Sequence, residues 1–127
     1  MHGGPGMDHT SLSCFEPCAD RLRLIYYDHR CNGRSDDIPV TSMTWDNLAA
    51  DAEALRQVLG VDRWAVLGHS FGGMVAQEYA LRYPASLSHL LLMDTCGDTW
   101  WVQENAPQML AKRGYSPAAV EAARRFF

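Results

Sequence analysis

Arg63-Trp64-Ala65-Val66-Leu67-Gly68-His69-Ser70-Phe71-Gly72-Gly73 decides the fold. An apolar run with a β-branched centre predicts a short buried strand over 63–68. The five residues 68–72 read G-x-S-x-G. After them, Met74 to Tyr83 has helical composition and is closed by Pro84. A G-x-S-x-G between a strand and a helix forces a sharp turn that strains the central serine and exposes its hydroxyl. Gly68 and Gly72 are then required because a side chain at either would meet backbone. Ser70 stands at a helix N-terminus, where free N–H groups and the dipole favour developing negative charge. The bland alternative is a glycine-rich turn that only packs a helix close to a sheet. The spacing is neither G-x-G-x-x-G nor a phosphate loop, so nucleotide binding is not expected.

Outward from that turn, Thr44 to Leu59 predicts an amphipathic helix. Thr44 is its N-cap, Asp46 lies in the first turn, and Trp45, Leu48, Ala49, Ala52, Leu55 and Leu59 share one face. Gly60 suits its C-terminus. Leu87 to Met93 and Arg21 to Asp28 predict two further strands, and Ser11 to Ala19 one or two helical turns. Strands alternating with helices imply an α/β class with a parallel sheet and crossover helices. From Gly97 the pattern changes. Trp100, Trp101, Pro107 and Met109 precede a helical stretch from Pro117 to Phe127.

The chain opens His2-Gly3-Gly4-Pro5-Gly6. Acyl transfer needs two backbone N–H groups aimed at the oxyanion. The residue after the nucleophile, Phe71, gives one. A glycine-rich loop gives the other, with Gly4 the first choice and Gly3 the second. An ordinary flexible terminus is the alternative.

His2-Gly-Gly-Pro-Gly6, Tyr27-Asp-His-Arg-Cys-Asn-Gly-Arg-Ser35 and Gly68-His-Ser-Phe-Gly-Gly73 together resemble the α/β-hydrolases, and most closely their proline iminopeptidase branch (serine peptidase family S33). The resemblance runs over about the first hundred residues, in order. It implies that Ser70 is the nucleophile and that Gly4 and Phe71 form the oxyanion hole. It also implies that Asp28, Arg30, Gly33 and Ser35 build a turn supporting the site from behind. The implied reaction passes through an acyl-enzyme that water hydrolyses. The implied substrate is a peptide with N-terminal proline, and a small ester, amide or lactone is the alternative. The family usually carries glycine where Cys31 stands, and cysteine is costly if that position needs positive φ.

A serine nucleophile needs a histidine base and an acid that orients it, and in this family the order is Ser, Asp, His. His89 comes too early to be the base. His2 belongs to the loop, His29 to the supporting turn and His9 to the surface, while His69 points away from Ser70. Asp94, ending the third strand, is the candidate acid; its bland role is to cap the turn at Asp94-Thr95. The resemblance also puts a strand before the glycine loop, between strands 21–28 and 63–68. The expectation is a partial fold, with 1–96 a piece of the core and 97–127 the start of a cap. Trp100, Trp101 and Phe126 would line an apolar pocket there. Such a piece lacks a base, so it is expected to be inactive and unstable alone. A non-catalytic remnant or interaction module is the competing reading.

Composition narrows the rest. Fifteen acidic against eleven basic residues give a net charge of −4, which argues against a nucleic-acid partner. No run approaches the roughly 18 apolar residues of a membrane span. Cys14, Cys18, Cys31 and Cys96 form no C-x-x-C pair and read as free thiols, which suits the cytoplasm. No metal-ligand spacing is present, and no cofactor is expected.

Overall fold

A computed structural model describes the backbone of residues 1–98 and 100–126, and the side chains of these residues except 101–103 and 122–126. Packing divides the chain into Met1–Thr95 and Cys96–Phe127.

In the first unit, β1 (Trp64–His69) and β2 (Leu87–Met93) form a parallel pair, with Ala65 opposite His89 and His69 opposite Met93. Helix α2 (Phe71–Arg82) connects them, and α1 (Trp45–Val58) packs on α2. The fold is thus the α/β class read from the sequence, as a partial sheet. Thr44 caps α1, its hydroxyl accepting the Asn47 N–H at 3.2 Å. Gly60 takes φ +63° just past the helix end, a left-handed position that glycine adopts without cost.

The spacing places the start of α2 at Met74, but the helix begins at Phe71. Glycine lowers helix propensity, yet tertiary packing holds Gly72 and Gly73 in the first turn. A Cβ on Gly72 would collide with the carbonyl oxygens of Met1 and His2. One on Gly73 would sit 2.5 Å from the Thr95 side chain. The close approach selects glycine, and it joins α2 to two other segments.

The core is small and rich in alanine. Ala49 and Ala52 of α1, Val66 of β1, and Ala76 and Tyr79 of α2 are buried together, with Tyr27, Trp64, Tyr83 and Leu87 against them. Small residues let the two helices and β1 approach closely. A polar knot sits within this layer. Glu53 accepts from Arg56 (2.6 and 3.0 Å), Gln57 (3.1 Å), the Tyr79 hydroxyl (2.8 Å) and Ser86 (3.3 Å). The Trp64 Nε1–H in turn donates to the Tyr79 oxygen at 3.0 Å. Every oxygen of the buried carboxylate has a donor, as burial of a charge requires.

Residues 21–28 do not form the expected strand. A strand needs a neighbour for its backbone groups, and these residues have no ladder. The β1 edge away from β2 is met by Met1, whose nitrogen donates to Leu67 O at 2.7 Å while His69 N–H donates to Met1 O at 3.1 Å. These two bonds are one rung of a parallel ladder, with Gly68 opposite Met1. The 21–28 segment still delivers Tyr27 and Asp28 to the interior.

Ahead of that segment, His9–Asp20 is a run of 3-10 turns, longer than the one or two turns expected. Asp8 caps it, accepting from the Thr10 N–H at 2.9 Å.

In the second unit, α3 (Trp100–Lys112) and α4 (Pro117–Phe126) pack together. The residues from Trp100 to Met109, which carry no helical reading in the sequence, belong to a helix that contains Pro107. Trp100 is exposed. The side chains of Trp101 and Phe126 lie outside the described residues. No described helix is long and apolar enough to cross a membrane.

Candidate active site

Ser70 sits where β1 turns into α2, at φ +51° and ψ −119°. This conformation is strained for any residue with a side chain and persists because surrounding bonds fix it. The Ser70 N–H donates to Met93 O at 3.0 Å, tying the turn to the end of β2. The Ser70 carbonyl accepts from Gly73 N–H at 2.9 Å, Met74 N–H at 3.3 Å and the Thr95 hydroxyl at 2.7 Å. No side chain caps α2. Among the described residues no hydrogen bond is recorded from the Phe71 N–H, so this first-turn donor is available.

The glycine loop lies against this turn. A Cβ on Gly3 would stand 3.2 Å from the Ser70 Cβ and 2.9 Å from His69 Nδ1. Gly4 follows at φ +49°. Two interactions anchor the loop. His2 is fully buried; its Nδ1–H donates to Gly3 O at 2.9 Å and its Nε2 accepts the His29 N–H at 3.0 Å. Gly6 N–H donates to Asn32 Oδ1 at 2.5 Å, while Asn32 Nδ2 donates to Arg30 O at 2.7 Å. The structure therefore brings Gly3, Gly4, Gly68, Ser70, Phe71 and Gly72 to one place.

The supporting turn is organised by Asp28. Its Oδ1 accepts the His9 N–H and ring Nδ1–H, at 2.7 and 2.8 Å; its Oδ2 accepts the Arg34 N–H at 2.9 Å; its carbonyl accepts the Ser35 hydroxyl at 2.6 Å. Burial opposes the charge, but the N–H groups of Arg34 and His9 and the His9 ring hold the carboxyl at about 2. His9 is thus part of this turn and not the surface residue expected from the sequence. Arg30 faces outward from the turn and forms a two-pronged pair with Asp51 of α1, at 2.6 and 2.7 Å. Cys31 takes φ +62°, at the position where the family resemblance implies glycine.

Aromatic contacts link the turn to the nucleophile. The His29 ring lies 4.4 Å from His2 and edge-on to Phe71 at 5.8 Å, and Trp45 of α1 covers Phe71 at 5.6 Å. Burial and the neighbouring His2 push His29 down to about 3, so it is neutral.

Asp94 directly follows β2, at φ +47° and with an exposed side chain. Its Oδ2 is 4.0 Å from His69 Nε2. None of the five histidines is recorded in a hydrogen bond with Ser70 among the described residues. Thr95, Asn32, Asp51 and His9 are the site residues that sequence reading missed. Asn32 was legible only as part of an Asn-Gly turn; Thr95 had no signal beyond following the strand.

The whole arrangement has close parallels. Residues 1–123 match the family model described as alpha/beta hydrolase fold. The chain is 31% identical over 118 residues to the proline iminopeptidase of Flavobacterium johnsoniae, covering 89% of this chain and 40% of that protein. The crystal structure of the proline iminopeptidase of Mycobacterium smegmatis superposes with a TM-score of 0.79 at 31% identity, over 93% of this chain and 40% of the other. A thermophilic esterase from Thermogutta terrifontis gives 0.68 at 30% identity, over 89% and 45%. The chain spans less than half the length of these proteins.

Proposed function

The chain belongs to the α/β-hydrolase fold family, and from that premise we propose that it carries the nucleophile half of a serine hydrolase with Ser70 as the attacking residue. The observation that carries this reading is the strained Ser70 at φ +51°, held at the strand-to-helix turn beside the Gly3–Gly4 loop. Ser70 Oγ attacks a carbonyl carbon. The developing oxyanion is met by the N–H groups of Phe71 and Gly4, and the acyl-enzyme is then hydrolysed by water.

The likeness to proline iminopeptidases supports a substrate class of peptides with N-terminal proline. The esterase likeness favours a second reading, a small ester, amide or lactone. No base is assigned. Both ring nitrogens of His2 and the Nδ1 of His9 are committed elsewhere, His29 is stacked in the interior, and His69 faces Asp94. Unassisted serine is a weak nucleophile, so acylation in this chain is slow. Asp94 remains the candidate acid.

A fluorophosphonate probe followed by peptide mapping tests the assignment. Slow labelling at Ser70, abolished by Ser70→Ala, is the expected result. Labelling at another residue, or none after prolonged exposure, overturns it in favour of a non-catalytic remnant. Fast stoichiometric labelling at Ser70 would mean that a base is present. Competition of the labelling by a prolyl amide or by an aryl ester separates the two substrate classes.

A further inference from the structure

The carbonyl of Ser70 and the N–H of Phe71 belong to one peptide unit. That unit is planar and trans, so fixing its oxygen fixes the direction of its N–H. Three donors hold the oxygen. Gly73 and Met74 donate from within α2, along the helix axis. Thr95 donates its hydroxyl at 2.7 Å from the segment that follows β2, an element not otherwise part of the turn.

The surroundings are shaped to admit that hydroxyl. Asp94, at φ +47°, turns the chain sharply at the end of β2. Gly73 then leaves the space that Thr95 fills; a Cβ there would lie 2.5 Å from Thr95 Cβ and from Thr95 Oγ1. The preceding residue pair, Met93 O and Ser70 N–H, fixes the other side of Ser70 at 3.0 Å. The Phe71 ring is held separately by Trp45 and His29. Hydrogen bonding at a peptide oxygen also polarises the unit and strengthens its N–H as a donor.

We propose that Thr95 is a positioning residue that aims and polarises the Phe71 N–H toward the oxyanion. The role rests on the reading of Ser70 as nucleophile and Phe71 as oxyanion donor.

The test uses the whole chain with Thr95→Val, which keeps the shape and removes the donor, and Thr95→Ser, which keeps the donor. The readouts are the urea midpoint, the Phe71 amide proton shift in an ¹⁵N-labelled sample, and the affinity for phenylboronic acid. That acid adds to a serine oxygen as a tetrahedral boronate, releasing the serine proton to buffer, and puts an oxygen in the oxyanion position. Thr95→Val is expected to shift the Phe71 amide upfield and to weaken the adduct about tenfold after correction for folded fraction, less than the loss of a whole oxyanion donor. Thr95→Ser leaves the amide shift in place and keeps the adduct affinity within about twofold of wild type, by the same reasoning. A variant that lowers only the urea midpoint, leaving amide shift and adduct unchanged, overturns the role. If wild type forms no adduct, the nucleophile reading fails. The oxyanion role of Thr95 falls with it, whereas an unmoved Phe71 amide shift in Thr95→Val beside an intact wild-type adduct overturns the role of Thr95 alone. Should Thr95→Val not fold, Thr95→Ala, which adds no bulk against Gly73, takes its place with the same expectations.

Discussion

The backbone N–H of His29 donates to Nε2 of His2 at 3.0 Å, with the two rings 4.4 Å apart. This contact joins the supporting turn to the glycine loop, and burial lowers the proton affinity of both rings. His29 has no hydrogen-bond partner recorded for either ring nitrogen, so a proton there would be buried without compensation.

Stability should therefore fall at mildly acidic pH. His29 is pushed down to about 3 in the folded state, against about 6.5 unfolded. The unfolded chain binds a proton below the upper value and the folded chain does not. The stabilisation is complete above about pH 6.5 and is lost at roughly 1.4 kcal/mol per pH unit as pH falls toward 3. His2, lowered by its burial, acts in the same direction. Urea midpoints at pH 7.5 and pH 5 measure the loss. His29→Phe, which keeps the ring contacts, should remove much of it. An unchanged pH slope in that variant would refute the assignment.

Asp28 acts in a lower window. Its carboxyl is held at about 2, so its stabilisation is present above about pH 4 and disappears as pH falls through 2. Asp28→Asn places an amide against the donors of His9 or Arg34 and should destabilise by about 2–3 kcal/mol at neutral pH. The difference from wild type should shrink as pH falls to 2, where the folded Asp28 carboxyl is about half protonated. A difference that stays constant with pH would show the loss to be one of packing.

Cys31 gives a prediction in the opposite direction. At φ +62° a cysteine carries a strain of about 1–2 kcal/mol that glycine does not. Glycine gives back part of the gain through its freer unfolded state, and the Sγ contact to Ile38 O at 3.1 Å is lost. Cys31→Gly should still raise stability by about 0.5–1 kcal/mol. A fall in the thermal midpoint would mean that the thiol contact outweighs the strain.

Cys31 also marks how much was legible. Its cost could be read because a motif fixed the backbone it had to follow. The same holds for Ser70 and the close-packed Gly68 and Gly72, where local turn chemistry dictates residue type. Thr44 and Gly60 announced both ends of α1 for similar reasons. Residues 21–28 were misread because alternation shows that a segment can be a strand, not that a neighbour stands beside it. Thr95 and His9 were missed because their bonds reach 25 and 19 residues along the chain. No local pattern encodes such a partner. The start of α2 was misplaced because glycine's low helix propensity was overridden by the packing of Gly72 and Gly73.

The apolar strand β2 was read correctly as a strand, yet Leu90, Leu91 and Leu92 are 38–47% exposed. Exposed leucines on a strand with an unpaired side invite association with another chain. The chain should aggregate on concentration, and Leu91→Lys should lower light scattering at equal concentration. Equal scattering by the variant would exclude β2 as the association surface.

Gly72 and Gly60 separate two reasons for needing glycine. At Gly60, φ is +63° and an added Cβ has no neighbour within 4 Å. Gly60→Ala meets backbone strain alone and should cost about 1 kcal/mol. At Gly72 the backbone is helical, so alanine is intrinsically favoured there by about 1 kcal/mol. The Cβ, however, would strike the carbonyl oxygens of Met1 and His2. These are backbone atoms held by the β1 rung and the His2–His29 bond, so neither can swing aside. Relief requires the glycine loop to move off α2, carrying Gly3 and Gly4 away from Ser70. Gly72→Ala should destabilise by roughly 2–3 kcal/mol, in the range of overpacked interiors, and should slow fluorophosphonate labelling of the molecules that remain folded. Gly60→Ala should leave that rate unchanged. Equal urea midpoints for the two variants would mean that the loop does not press on α2 as the geometry requires.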